Sequence, residues 1–335
     1  MINIKTLLYS FVGSTLLTMG VTSCDTEAEA LEVQKPYTYS DQYYANLRAY
    51  KASDHQISFM WFADYSSTHS MGLHFKGLPD SLDICSLWGG IPSDVEGKPN
   101  TFYNPKVHEE MRFCQKVKGT KFTYVTFPGV NNLEWVMSRP EEERVKVYGD
   151  SLLRIVYNND LDGMDLDYEI HGDWMHGQNF VELIKYLGQY IGPKGKDPSK
   201  LLIVDGWPIN LDPKVYDYMS YFIAQAYNSP GASDLQRRFE EVWHGGEGLT
   251  PDRYIVTENI GDYYANGGVP FTEADGNQYT ETGERLYSLQ GMARWNPTQG
   301  KKGGFGAFFA QRDYNSNPPY YHFRKGIQLQ NPAVK

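Results

Sequence analysis

A chain of 335 residues, 41% hydrophobic and 21% charged, can bury a sizeable core and is not a disordered or fibrous protein. Its 41 acids outnumber 31 bases, for a formal charge of −10, which excludes a nucleic-acid binder built on a clustered basic surface. Aromatic residues reach 15%, with 26 Tyr and 7 Trp. Such flat amphipathic rings suit either a rich core or the C–H faces of sugars.

The first element stands apart from any fold. After Lys5, "TLLYSFVGSTLLTMGVTSC" is apolar, shorter than a typical membrane span and ends in small residues, so 1–23 reads as a secretory signal. The ending "VTSC" resembles a bacterial lipobox, which implies a lipidated Cys24 as the new N-terminus. A plain cleaved signal and an uncleaved anchor are the alternatives. Residues 24–50 read as a flexible tether and lead-in, opening with the acidic "DTEAEALEVQKP". That acidic run resembles an export signal to the outer face of a Gram-negative outer membrane. The expectation is a monomeric surface lipoprotein that meets the membrane through its lipid only.

Residues 51–335 read as one domain of alternating strands and helices. Strand-like runs are "QISFMWFAD" (Gln56 to Asp64), "LDICSLWG" (Leu82 to Gly89), "TKFTYVTFP" (Thr120 to Pro128) and "GMDLDYE" (Gly163 to Glu169). They continue with "LLIVDGW" (Leu201 to Trp207), "YFIAQAYN" (Tyr221 to Asn228), "RYIVTENI" (Arg253 to Ile260) and "GGFGAFFAQ" (Gly303 to Gln311). Helices are predicted over 105–119, 140–159 and 177–192, from Pro near the start, Gly at the end, or an apolar stripe of helical period. Eight such units predict a (β/α)8 barrel, with an abbreviated helix in the short gap between Trp207 and Tyr221; an open doubly wound sheet is the rival. Beyond the lead-in two cysteines remain, Cys85 and Cys114. Both read as buried apolar residues, with their pairing left open.

The fourth strand asks for a chemical explanation. Side chains alternate along a strand, so Asp165, Asp167 and Glu169 point one way, while Met164, Leu166, Tyr168 and Ile170 point to the covering helices. In a parallel barrel the acids face the axis and climb toward the C-terminal mouth, where such barrels do chemistry. Same-face neighbours lie roughly 7 Å apart, so they cannot all ionise cheaply in a dry interior. At least one should keep its proton near neutrality, as a general acid must. A solvated acidic strand face and a calcium loop are the competing readings. In the loop reading, the Gly falls too early and the strand splays the ligands. No metal and no cofactor are expected.

With Asp162, these acids form "DGMDLDYE", which resembles the D-G-x-D-x-D-x-E signature of glycoside hydrolase family 18. The family's strand layout runs over most of Gln56 to Tyr314. The resemblance implies a retaining, substrate-assisted mechanism, in which Glu169 is the acid, Asp167 holds the substrate's acetamido group and Asp165 supports Asp167. It also implies that Tyr227, in "AQAYN", bonds the acetamido oxygen. Gln225 on the same face, and the lack of a Trp at the end of strand eight, resemble the endo-β-N-acetylglucosaminidase branch more than chitinases. Asp162, Gln225, Asn228, Trp88, Trp207, Tyr263 and Tyr314 are the expected substrate contacts. The partner is an N-glycan or another GlcNAc-containing glycan, cut within its GlcNAc-β-1,4-GlcNAc core. A non-catalytic glycan-binding protein on the same barrel and a chitinase are the alternatives.

Overall fold

The computed structural model describes residues 39–65, 73–207, 211–261 and 263–332. The expected signal, Cys24 and most of the expected tether lie outside the described residues. The chain divides into two units, Met1–Tyr43 and Tyr44–Lys335, and the barrel belongs to the second. Part of the lead-in expected over 24–50 is helical instead, because α1 spans Asp41–Ala52. Its Arg48 Nη1 donates to Val117 O at 2.7 Å and its Lys51 Nζ to Thr120 Oγ1 at 2.8 Å. Among the described residues no helix is long and apolar enough to cross a membrane.

The eight expected strands form and close into a barrel. They are β1 (Ile57–Phe62), β2 (Ile84–Leu87), β3 (Lys121–Thr126), β4 (Gly163–Asp167), β5 (Leu201–Gly206), β6 (Tyr221–Gln225), β7 (Tyr254–Asn259) and β8 (Gly304–Phe308). Each pairs in parallel with its chain neighbours, and β1 meets β8 to complete the ring. The period-two pattern separates two cores. Phe59, Trp61, Ile84, Val125, Leu201, Ile203, Ile223 and Ile255 fill the interior. Residues of the opposite parity, such as Met60, Phe122, Met164, Leu202 and Phe222, pack outward under the helices.

The covering helices are α2 (Pro105–Phe113), α3 (Glu134–Met137), α4 (Glu141–Asn158), α5 (Gln178–Leu187), α6 (Ala232–Trp243), α7 (Ser288–Arg294) and α8 (Tyr321–Gln330). Asn104 caps α2 by accepting from Val107 N, with Pro105 in the first turn. The segment predicted as one helix over 105–119 changes pitch, because Cys114–Lys118 is a π-turn closed by Gly119 at φ 75°. Among its described residues, the short unit after β5 carries the 3₁₀ helix Pro213–Tyr218 and no longer one, as its length required. Cys85 and Cys114 are buried free thiols, which settles the pairing left open by the sequence.

Where β1 and β8 close the ring, Gly304 is held tightly: a Cβ there would lie 2.0 Å from Ile57 O. Gly304→Ala must therefore push two paired strands apart. We expect a cost of about 2–3 kcal/mol, seen as a melting temperature lower by roughly 3–5 °C. An unchanged melt would show that the seam can yield.

Candidate active site

The strand alternation that builds the inner core also carries polar side chains to its upper end. Six strands contribute. Asp165 and Asp167 of β4 and Asp205 of β5 are buried, and Asp167 and Asp205 are register partners on neighbouring strands. Trp61 of β1 donates Nε1–H to Asp165 Oδ2 at 3.0 Å, and Ser86 Oγ of β2 donates to the same oxygen at 2.7 Å. Thr123 Oγ1 in turn donates to Ser86 Oγ at 2.9 Å. On the other side, Gln225 Nε2 of β6 donates to Asp205 Oδ2 at 3.0 Å and, more loosely, to Asp167 Oδ1 at 3.4 Å.

Two carboxylate oxygens, Asp165 Oδ1 and Asp205 Oδ1, receive no N–H or hydroxyl donor. The two carboxyls interact across the β4–β5 pair, in a sense that lowers the titration of Asp165 and raises that of Asp205. Burial raises the Asp205 carboxyl well above its ordinary range, and the charges of Asp165 and Asp167 raise it further. Asp165 is pushed by burial only to about 6, because Ser86, Asp205 and Trp61 all favour its anion. Asp167 rises to about 8, first through burial and then through the charges of Glu169 and Asp165, with Gln225 opposing. Burial thus favours the neutral form of Asp205 and Asp167, the donors favour the anion at Asp165, and the three titrate as one coupled set.

Glu169 stands above this buried set. Tyr168 N donates to Asp205 O at 3.0 Å, one residue past the strand, and Glu169 N then turns back onto Asp167 O at 3.0 Å. Glu169 is exposed, whereas Tyr168 and Ile170 beside it are buried in the outer core. The ladder therefore has a wet top rung and two dry ones beneath, and can deliver a proton at the mouth while holding charge below.

Tyr227 follows β6, half-buried, with its hydroxyl raised by burial and by the surrounding acids Asp205, Asp167, Glu169 and Glu258. Buried Glu258 fixes this corner, because its Oε1 accepts from Asn228 N and Asn259 N, both at 2.8 Å. Asn228 itself is exposed, in the left-handed region at φ 58°. An aromatic row crosses the mouth. Tyr227 stacks on Phe308 with centroids 6.0 Å apart, Phe308 meets Trp88 at 5.0 Å, and Trp88 meets Phe127 at 5.8 Å.

Other expected contacts sit elsewhere. Asp162 precedes β4 at the base of the barrel, where Oδ2 accepts from Gln115 Nε2 at 2.7 Å and Phe122 N at 2.8 Å. It is a clamp between strand ends, remote from the mouth along its own strand. Tyr314 is corrected too: after β8 the chain turns into the 3₁₀ helix Ala310–Asn315, and the ring packs on the outer core, edge-on to Tyr320 at 5.8 Å. Trp207 is exposed after β5 with the Arg238 guanidinium 4.3 Å from its ring centroid, and Tyr263 is exposed after β7. Trp61, Ser86, Asp205 and Phe308 were not predicted as site residues. Their signal was parity, since each is an inward position on its strand.

Among the described residues no cluster of His, Cys, Asp and Glu is arranged to hold a metal ion. The family description "endo-beta-N-acetylglucosaminidase EndoS TIM-barrel domain" matches residues 42–307. Endo-beta-N-acetylglucosaminidase F2 of Elizabethkingia meningoseptica is 26% identical over 300 residues, covering 85% of this chain and 82% of that one. Endo-beta-N-acetylglucosaminidase EndoS of Streptococcus pyogenes serotype M1 is 27% identical over 195 residues, 49% of this chain but only 19% of that much longer protein. The fold is shared with the apo structure of an endo-beta-N-acetylglucosaminidase from Cordyceps militaris, at TM-score 0.62 and 20% identity, covering 88% of this chain and 98% of that one.

Proposed function

Because the chain belongs to the EndoS-type TIM-barrel endo-β-N-acetylglucosaminidases of glycoside hydrolase family 18, and is a glycoside hydrolase, we propose that it cleaves the N,N′-diacetylchitobiose core of N-glycans with retention. The observation that carries this reading is the split ladder: exposed Glu169 above buried Asp167 and Asp165. In a two-carboxylate retaining enzyme a second acid attacks the anomeric carbon; Asp167, one layer below Glu169, supports the alternative in which it accepts from the substrate's 2-acetamido N–H. The nucleophile is then the substrate's own 2-acetamido oxygen.

In this reaction Glu169 gives its proton to the glycosidic oxygen as the C1–O bond breaks. The acetamido carbonyl oxygen closes onto C1, forming an oxazolinium whose N–H is held by Asp167. As the positive charge grows, the proton of Asp167 passes to the carboxylate of Asp165 beneath it, so Asp167 faces the cation as an anion. Asp165, whose anion Trp61 and Ser86 favour in the resting site, is the acceptor of that proton and returns it when the cation is discharged. Tyr227 holds the acetamido group through its hydroxyl. Water then adds to C1 as the C1–O bond to the acetamido oxygen breaks, and it gives its proton to Glu169, which restores the acid and the original anomeric configuration.

Gln225 joins Asp167 to Asp205, where the family's chitinase branch tends to place Met, and the curated relatives are endo-β-N-acetylglucosaminidases. Both support a glycoprotein core over free chitin. Trp88, Asn228, Trp207 and Tyr263 are the proposed sugar contacts around the mouth. Placement on a cell surface through a lipidated Cys24 is proposed on the sequence alone. The test is mass spectrometry of N-glycosylated proteins incubated with this chain. A single GlcNAc left on asparagine is the expected product; cleavage of chitooligosaccharides without that remnant would replace the reading with a chitinase.

A further inference from the structure

A second cavity opens on the flank of the barrel, with a volume of about 580 Å³. It lies over β3, between the segment around Lys98 and helix α4, and its lining includes Phe127, Trp135, Tyr148 and Asn158. The mechanism uses none of its residues. Phe127 is 50% exposed and Trp135 45% exposed, so two large rings face solvent at its upper edge. The size is in the range of cavities that hold small molecules or a few sugar rings.

Two features tie it to the site. The first is the aromatic row from Tyr227 through Phe308 and Trp88, which ends on Phe127, a wall of the groove. The second is register: Thr126 pairs with Leu166, so the chain running into Phe127 leaves the barrel beside Asp167, one strand spacing of about 5 Å away. A branched substrate seated on the acids thus meets the groove at Phe127, and an arm that follows it runs about 20 Å along α4 to reach Arg154 and Lys98. Charge sets the kind of arm. In a protein of net charge −10, the described residues lining the groove include Lys98 and Arg154 and no carboxylate. Lys98 Nζ donates to Asn158 O at 2.7 Å, which leaves two of its three hydrogens for a ligand. Arg154 is exposed on α4, and its planar fork matches a carboxylate.

We propose that this groove binds an outer arm of the same glycan, rings stacked on Phe127 and Trp135, with a carboxylate-bearing terminal sugar against Arg154 and Lys98. The proposal rests on the endoglycosidase reading. It is tested by binding to the full chain carrying Glu169→Gln, which holds glycan without cutting it. Three ligands are titrated: a trimmed core glycan without outer arms, the same glycan with neutral arms, and one with acid-tipped arms. Trp135→Ala should weaken both arm-bearing ligands by about tenfold and leave the trimmed core within about twofold. Arg154→Gln, at an exposed position that cannot endanger folding, should weaken only the acid-tipped ligand, and added salt should do the same. Equal losses for all three ligands, or none, with Trp135→Ala would overturn the groove. Arg154→Gln without a selective loss would overturn the acidic arm. If the trimmed core itself does not bind, the endoglycosidase reading falls, and the groove's role falls with it.

Discussion

Glu169→Gln should lower turnover of an N-glycosylated substrate by about a thousandfold, within the 10²–10⁴ range attributed to a positioned general acid. The amide keeps the shape of the side chain but has no proton that it can give to the glycosidic oxygen. Binding should survive, because the residue stands exposed at the mouth and closes no hydrogen bond inside the barrel. The expected pattern is therefore a collapsed kcat with KM close to that of the parent. Folding should also survive, since no buried partner is lost. A further consequence lies one layer down. The charge of Glu169 is among the forces that hold Asp167 up at about 8, so its removal should lower the midpoint of Asp167. That shift is readable as a carboxyl titration in the inactive variant. Retention of more than a tenth of the parent's turnover would remove Glu169 from the role of acid.

How much of this site was legible in the sequence depends on which geometry each residue needs. Asp165, Asp167 and Glu169 were legible because strand alternation is local, and three acids at a period of two cannot share a face with Met164 and Leu166. The barrel was legible for the same reason, from eight short apolar runs spaced by helices. Asp205 has the same inward parity in "LLIVDGW", yet a single acid in an apolar strand says nothing of its partner. That it lies beside Asp167 is fixed by the β4–β5 register, which the closed barrel sets and no single strand contains. Ser86 and Trp61 were hidden in the same way. Asp162 shows the opposite error. It belongs to the motif by spacing, but it stands before the strand begins, where its oxygen ties Gln115 to the backbone of Phe122. Tyr314 failed because Phe309 takes a left-handed turn at φ 50°, which sends the following helix away from the mouth.

Asp205 then supplies the sharpest contrast between two small substitutions. Asp205→Asn should keep turnover within about threefold near pH 6, whereas Asp205→Ala should lose about a hundredfold. In the parent, burial favours a neutral Asp205 whose proton can serve the neighbouring Asp165, beside the two donors Trp61 and Ser86. The Asn amide also carries hydrogens and can take the same place. Ala cannot, and it also strips Gln225 of its 3.0 Å acceptor. Each polar group left unsatisfied in this dry layer costs about 1–3 kcal/mol. The ladder above then loses its fixed charge and its orientation together.

Stability against pH gives a readout that a merely space-filling role would not move. A carboxyl whose pKa is raised on folding keeps its proton in the native state while the unfolded chain releases one. The native state then binds more protons, and stability falls as pH rises. For Asp205 the fall begins near the ordinary value of about 4 and continues up to its raised native value. Over that window Asp205→Asn, which has no proton to lose in either state, should reduce the downward slope by about 1.4 kcal/mol per pH unit relative to the parent. Melts of both proteins between pH 5 and pH 8 measure the difference for the cluster, and the slopes due to groups remote from it cancel. Parallel curves for parent and Asn variant, or equal activity in the Asn and Ala variants, would show that Asp205 carries no proton for Asp165. The ladder would then depend on Trp61 and Ser86 alone to hold its lowest rung ionised.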